Sequence, residues 1–464
     1  MKHYDAAIIG FGKGGKTLAG ALAAAGKHVA VIEQSPKMYG GTCINVACIP
    51  TKTLVRAAAL SAAQGGSFAE RAQRYAAAVA EKDRVTGMLR DKNFHKLADL
   101  PNVDVIDGRA SFVDATHLQI QPSAPEAAPE SLPSLQQIEA ERVFINTGAR
   151  PFVPPIPGID GPRVYLSETL LDLKELPQRL AIIGGGYIGL EFASLYANFG
   201  SQVTVVQDTA DFIPREDRDI ARAVLSSLEE RGIRVVSNAL VKRIDNEGNE
   251  AIVAVEANGA EERIPADAAL VATGRRPNVE DLNLKAAGIQ LTERGAVQTD
   301  EHLRTTAPNV WAMGDVVGGL QFTYISLDDF RIVQDDLMGE GVRTTKNRGA
   351  VPYSVFLDPP FSRVGMTEQE ARDAGHTVKV AKLAAAAVPK AQVLGKPVGL
   401  LKAVIDADTD RLLGVHLFNE ESHEMINLAK LAIDACLPYQ SLRDAIYTHP
   451  TMSEAYNDLF AAAH

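Results

Sequence analysis

Cys43 and Cys48 stand five positions apart in the run GGTCINVACIPTK, residues 40–52. Two thiols at that spacing, at the start of a helix, can close a small disulfide ring and reopen it, which is two-electron chemistry. The same spacing also suits half of a metal site, or no site at all. The third cysteine, Cys436, lies in an apolar stretch and reads as a small core residue.

A redox pair needs something to feed it, and the elements around the cysteines supply a candidate. Ala6-Ala7-Ile8-Ile9 reads as a buried strand that leads into Gly10-Phe11-Gly12-Lys13-Gly14-Gly15, followed by an Ala-rich helix. A second strand, Val29 to Ile32, then ends on Glu33, 23 residues after Gly10. Strand, G-x-G-x-x-G, helix, strand and acid is the order of a dinucleotide site. Gly10, Gly12 and Gly15 let the backbone approach a pyrophosphate at the helix N-terminus, and Glu33 can take ribose hydroxyls. The stretch also fits a P-loop, with Lys16 on phosphates and Thr17 on magnesium. Glu33 at dinucleotide spacing favours the first reading.

So does a second copy. Leu180 to Ile183 leads into Gly184-Gly185-Gly186-Tyr187-Ile188-Gly189, and a helix and strand end at Gln207, again 23 residues on. Each unit closes on a matching strand and turn, ending Thr147-Gly148 in the first and Thr273-Gly274 in the second. Two dinucleotide sites in one chain suggest a hydride donor and a hydride acceptor. Residues 68–100 read as helix, and 121–140, rich in Pro, Ala, Glu and Ser, as a loose hairpin tip. From Pro352 the pattern changes to strands and two helices without a glycine fingerprint, a third domain.

The bulk numbers bound the rest. The 464 residues are 46% hydrophobic and 23% charged, as expected of a globular protein of about two to four domains. A net charge of −11 argues against nucleic acid or an anionic membrane as partner. No run reads as long and apolar enough to span a bilayer, and the N-terminus does not read as a signal peptide. Three cysteines do not make a secreted disulfide scaffold, so the expected location is cytoplasmic. Ten scattered histidines show no metal-ligand spacing, so no metal site is expected.

Taken together, GGTCINVACIPTK, GGGYIGLE, VATGRRPN, the run Trp311 to Asp315 and the terminal run His449 to Glu454 resemble the class I pyridine nucleotide-disulfide oxidoreductases along the whole chain. That resemblance implies an α/β fold of two Rossmann-like domains plus a C-terminal α+β dimerisation domain. The FAD-binding domain would be 1–149 and 276–347, the NAD(P)-binding domain 150–275 and the dimerisation domain 348–464. It implies FAD and NADH or NADPH as cofactors, with hydride passing through the flavin to a Cys43–Cys48 disulfide. Cys48 would face the flavin and Cys43 would attack substrate, with a thiol pKa drawn below about 8.5. His449, oriented by Glu454, would be the acid/base, reaching the partner's cysteines across a homodimer. The alternative is a surface histidine in a tail; on the catalytic reading, truncating the last twenty residues would abolish turnover of a disulfide substrate while leaving flavin bound. Lys52 would sit near the flavin and pair with Glu191. Thr42, Thr147, Gly148, Gly314 and Asp315 would contact FAD. Gly184, Gly186, Tyr187, Gly189, Glu191, Gln207 and Gly274 would contact NAD(P), with Tyr187 gating the nicotinamide.

Departures from the family pattern refine this. Gln207 replaces the usual Glu, Asp208 would repel a 2′-phosphate and Arg215 is the nearest arginine, which favours NADH. Ala47 replaces a common Gly beside the cysteines. Tyr447 replaces a His usual in lipoamide dehydrogenases. No cysteine pair ends the chain and no metal-binding domain precedes Met1, unlike a typical mercuric reductase. Further runs at 10–17, 92–108, 318–330, 351–356, 362–368 and 422–427 resemble one branch linked to reactive-chlorine defence. That branch implies a small oxidant such as hypothiocyanous acid as acceptor. Copper(II) or mercury(II) reduction, dihydrolipoyl dehydrogenase activity and a flavin-bound redox sensor remain the alternatives.

Overall fold

The computed structural model describes residues 1–123, 135–257 and 259–463, and the chain divides into two compact units. The tip of the expected hairpin, 124–134, lies outside the described residues.

The first unit comprises Met1–Leu54, Ala77–Phe152 and Gly274–Arg348. Its parallel sheet centres on Lys2–Ile9, with Val29–Glu33 on one side and Gln136–Ile145 on the other. Val103–Phe112 and Val310–Ala312 extend it outward. In register, Ile9 lies opposite both Ile32 and Ile145. The ends of the three strands therefore align, and the first glycine loop leaves from the sheet's carboxyl edge, where α/β folds bind ligands. Val29–Glu33 is buried along its whole length, as a central parallel strand should be.

The second unit comprises Val55–Ala76, Val153–Thr273 and Gly349–His464. It holds another parallel sheet, ordered Arg234–Val236, Gln202–Val206, Arg179–Ile183, Ala268–Val271 and Val164–Leu166. It also holds an antiparallel sheet of five strands between Tyr353 and Phe418, packed with helix Ser422–Asp434. The expected NAD(P) and dimerisation segments thus cluster as one body. Residues 55–76 join it because Tyr75, fully buried, packs edge-on against Phe199 at 5.2 Å and hydrogen-bonds the Tyr196 hydroxyl at 3.0 Å.

The two glycine units share one steric device. Gly10 and Gly184 have φ of +102° and +114°. A Cβ on either would lie 2.4 Å from the carbonyl oxygen of Asn146 or Ala272, at the end of the closing strand. Only glycine lets the loop turn that close to the strand.

Three sequence expectations need correction. Cys436 is exposed at φ +53°, in the turn that ends helix Ser422–Asp434, because the helix stops before burying it. The last residues are not a free tail that can be cut away cleanly: Tyr456, Leu459 and Phe460 of helix Ala455–Ala461 are buried in the C-terminal core. Residues 42–64 do meet the length and hydropathy of a membrane span. The helix is interrupted between Asn45 and Cys48, however, and both cysteines sit at that break.

Candidate functional site

The interruption that spoils a continuous helix is what brings the thiols together. Thr42–Asn45 forms one turn, the chain kinks at Val46-Ala47, and a new helix starts at Cys48. Cys43 and Cys48 share a hydrogen bond, and the Thr323 hydroxyl meets both, at 3.5 Å from Cys48 Sγ. The turn is pinned from outside. Asn45 Nδ2 donates to the carbonyls of Tyr39 and Gly41 at 3.0 and 2.9 Å, and Arg90 Nε donates to Asn45 Oδ1 at 2.8 Å.

The cysteine loop lies directly on the first glycine loop. Gly41 adopts φ +77°, ψ −173°, a region open only to glycine, and a Cβ there would come within 2.7 Å of Gly12 Cα. Lys16 Nζ donates to Gly40 O at 3.4 Å and to Asn93 Oδ1. Burial, then Lys13, draws Lys16 down to about 8. The P-loop alternative fails here: Lys16 holds the cysteine loop, and Thr17 Oγ1 donates to Lys13 O within its own helix.

The expectation of a depressed Cys43 pKa is not met within this chain. The hydrogen bond with Cys48, then burial, pushes the Cys43 thiol up, and Thr323 and Lys16 oppose that only in part.

The residues expected at the first nucleotide gather around Asn146, a buried side chain not among those the sequence singled out. Its Oδ1 accepts from Gly15 N at 2.9 Å and its Nδ2 donates to Met313 O at 2.7 Å. Asn146 thereby ties the glycine loop to Gly314-Asp315. Gly314 N donates to Asp329 Oδ2 at 2.8 Å, and Asp329 is paired with Arg348. Thr147 Oγ1 donates to Asn278 O, and Gly148 faces Thr42. Glu33 accepts from Phe11 N at 3.0 Å and Ser35 N at 3.2 Å, yet burial still lifts it to about 7. Burial likewise raises Asp315.

These residues fit a dinucleotide. Gly10, Gly12 and Gly15 leave no room for a Cβ against Asn146 and Ile8, so the loop keeps its backbone close to the strand ends, and two carboxyls, buried Glu33 and half-buried Asp315, offer acceptors to hydroxyl groups. Lys52 is half-buried one turn after Cys48, on the same helix.

In the second unit, Gly184, Gly186 and Gly189 open helix Tyr187–Phe199; Gly274 is the first residue of the last segment of the first unit. Nothing lies within 4 Å of a Cβ on Gly186, so that edge of the loop is open for a ligand to approach. Gln207 spends both amide hydrogens on Thr209 O and Asp211 O, at 3.0 and 3.1 Å. Asp208 and Arg215 are exposed beside it. Tyr187 stacks on Tyr353 and donates to Glu216. Glu191 Oε1 accepts from Phe356 N at 2.8 Å.

The bond from His449 to Pro450 is cis, and His449 Nδ1 meets Glu454 Oε2 at 2.8 Å. The imidazole is 70% exposed and Glu454 only 17%, so a held carboxylate orients a ring that faces outward. Among the described residues no three His, Cys, Asp or Glu side chains form a group able to hold a metal ion.

Comparison with known proteins agrees with this assembly. The family model for pyridine nucleotide-disulphide oxidoreductases matches residues 4–329, and that for their dimerisation domain matches residues 351–460. The chain is 53% identical to the probable pyridine nucleotide-disulfide oxidoreductase RclA of Escherichia coli K12, over 99% of each chain. It is 35% identical to mercuric reductase of Staphylococcus aureus, over 97% of this chain and 81% of that one. Among solved structures, the Cu(II) complex of the HOCl-induced flavoprotein disulfide reductase RclA of E. coli superimposes with a TM-score of 0.90. The two are 52% identical, with 99% of each covered.

Proposed function

This chain belongs to the pyridine nucleotide-disulphide oxidoreductases and is an NAD(P)H-dependent flavoprotein disulfide reductase; from that premise we propose that it reduces a small sulfur oxidant such as hypothiocyanous acid. The observation that supports this reading is the contact of the Cys43–Cys48 turn with the nucleotide glycine loop through Gly41. Bound FAD supplies a carrier for two electrons between NAD(P)H and the disulfide. The residues that would hold it are Gly10, Gly12, Gly15, Glu33, Thr42, Thr147, Gly148, Gly314 and Asp315, with Lys52 on the helix that starts at Cys48.

Cys43, as thiolate, attacks the sulfur of hypothiocyanous acid. An S–S bond forms, and the oxygen leaves as hydroxide, which takes a proton to become water. Cys48 then attacks Cys43, the new disulfide closes and thiocyanate departs. The Cys48 hydrogen bond, then burial, raises the Cys43 thiol, so a base that takes its proton would assist the first step. His449 of a second copy, oriented by Glu454, is that base. The C-terminal domain offers a surface for that second copy, with Leu431 and Ile446 exposed. A reducing cytoplasm suits a pair that must be reopened at each turnover.

NADH is the favoured donor, because a 2′-phosphate would meet Asp208 and the capped Gln207 side chain. A second reading, copper(II) or mercury(II) as electron acceptor, draws on the Cu(II) complex of the relative and on the affinity of soft thiolates for soft metals. The deciding assay follows NADH and NADPH oxidation with hypothiocyanous acid, lipoamide, glutathione disulfide and copper(II), in wild type and Cys43→Ser. Fast turnover with hypothiocyanous acid, lost in Cys43→Ser and at least about tenfold better with NADH, is expected. Preference for lipoamide or glutathione disulfide would overturn the acceptor, and for copper(II) would move it to the second reading.

A further inference from the structure

Helix Tyr187–Phe199 turns one polar face, Tyr187, Glu191, Ser194 and Asn198, toward partners from later in the same unit. Glu191 accepts from Phe356 N. Arg231 donates to Ser194, Asn198 and the Asp358 carbonyl, and Asn198 donates to Asp358 Oδ2 at 3.1 Å. These contacts fasten the body of the helix. Its first residue is held differently.

The Tyr187 ring stacks on Tyr353 at 5.6 Å and 30°, and both phenols donate to one oxygen, Oε1 of Glu216. The Glu216 side chain is fully buried, and its other oxygen, Oε2, has no hydrogen-bond partner and lies 3.5 Å from an Arg363 nitrogen. Tyr353 and Arg363 are direct neighbours across two antiparallel strands, so the C-terminal sheet delivers phenol and guanidinium together. Burial, then the Glu216 charge, raises both phenols, which keeps them donors.

A buried carboxylate that loses its only donor is costly to leave unsatisfied. Glu216 is not in that position. If Tyr187 swings away, Tyr353 and Arg363 still partner the carboxylate. One donor is therefore exchangeable without stranding a buried charge, which is what a reversible catch requires.

We propose that Glu216, shared with Tyr353, is a positioning residue for the reductive half-reaction, a catch that holds the Tyr187 phenol where it rests before the nicotinamide ring of NAD(P)H enters. This rests on the reading of Tyr187 as the nicotinamide gate. Tyr353 competes with Tyr187 for the same oxygen, so the two tyrosines should act in opposite senses.

The test is rapid-mixing reduction of the bound flavin by NADH, which separates the NADH dissociation constant from the limiting rate. Flavin content and melting temperature of each variant report folding. In Glu216→Gln a neutral amide holds the phenol less well, and the dissociation constant should fall roughly threefold. In Tyr353→Phe the stack stays but the competitor is gone, and the constant should rise by a similar factor of about three. In a Tyr187→Phe background both effects should vanish. Shifts in the same direction, or shifts that persist without the Tyr187 hydroxyl, indicate a structural role and overturn the catch. Tyr187→Ala separates the two readings. If it leaves flavin reduction at the wild-type level, the gate fails and the catch with it. If it changes flavin reduction while the other variants show no opposed shifts, only the catch is overturned.

Discussion

Glu33 shows how one buried carboxyl couples the first glycine loop to pH. Burial outweighs its bonds from Phe11 and Ser35 and lifts it to about 7, above the ordinary 4.5. The native protein therefore holds this proton more tightly than the unfolded chain. The resulting stability is fully present below pH 4.5 and is lost as pH rises through about 7. Between pH 5 and pH 8 the flavin-free protein should lose on the order of 3 kcal/mol relative to Glu33→Gln, which has nothing to ionise. Thermal melts of both proteins across that range measure this, and a gap independent of pH would contradict it. The same substitution should weaken flavin binding, because an amide is a poorer acceptor for ribose hydroxyls.

At the scale of elements, the interrupted helix after Gly41 is the unit that carries both thiols onto the first glycine loop. Its position depends on a close approach of two backbones, with Gly41 against Gly12. Gly41→Ala should cost about 2 kcal/mol or more from backbone strain alone, and further from the contact with Gly12. Gly26→Ala is the matched control: φ there is also positive, at +79°, but nothing lies within 4 Å of the added carbon. We expect Gly41→Ala to lose flavin occupancy and reactivity of Cys43 toward a thiol reagent, and Gly26→Ala to keep both. Equal behaviour of the two would mean that the loops do not depend on each other.

At the scale of the whole molecule the question is whether one chain makes a complete site. Cys43 has its proton held on, and the oriented imidazole of His449 faces outward. Cutting off the last residues would be a poor test, since Tyr456 and Phe460 belong to the core. Mixed dimers are a cleaner one. Cys43→Ser and His449→Gln chains should each be nearly inactive toward the oxidant. Random reassociation should restore roughly a quarter of wild-type activity, because half the dimers then hold one intact site of two. A site built within one chain would give no recovery.

What the sequence determined by itself is what local sterics impose. Gly10 and Gly184 are legible because no other residue can make that turn beside a strand end, and the Cys43–Cys48 spacing is legible because ring closure depends on it. The His449–Glu454 pair is similarly local, five residues apart. What only the tertiary structure decided are the partners that fix those groups. Asn146 reaches Gly15 from 131 residues away, and Ser326 caps Gly14 from 312. Thr323 finds the thiols across 275 residues, and Glu216 joins tyrosines at 187 and 353. Such contacts leave no period or spacing in a chain, because a polar side chain finds its partner only after sheets and helices have brought distant backbone together. Cys436 failed for the converse reason: its apolar neighbours suggest a core, but where the helix ends is set by the packing around it.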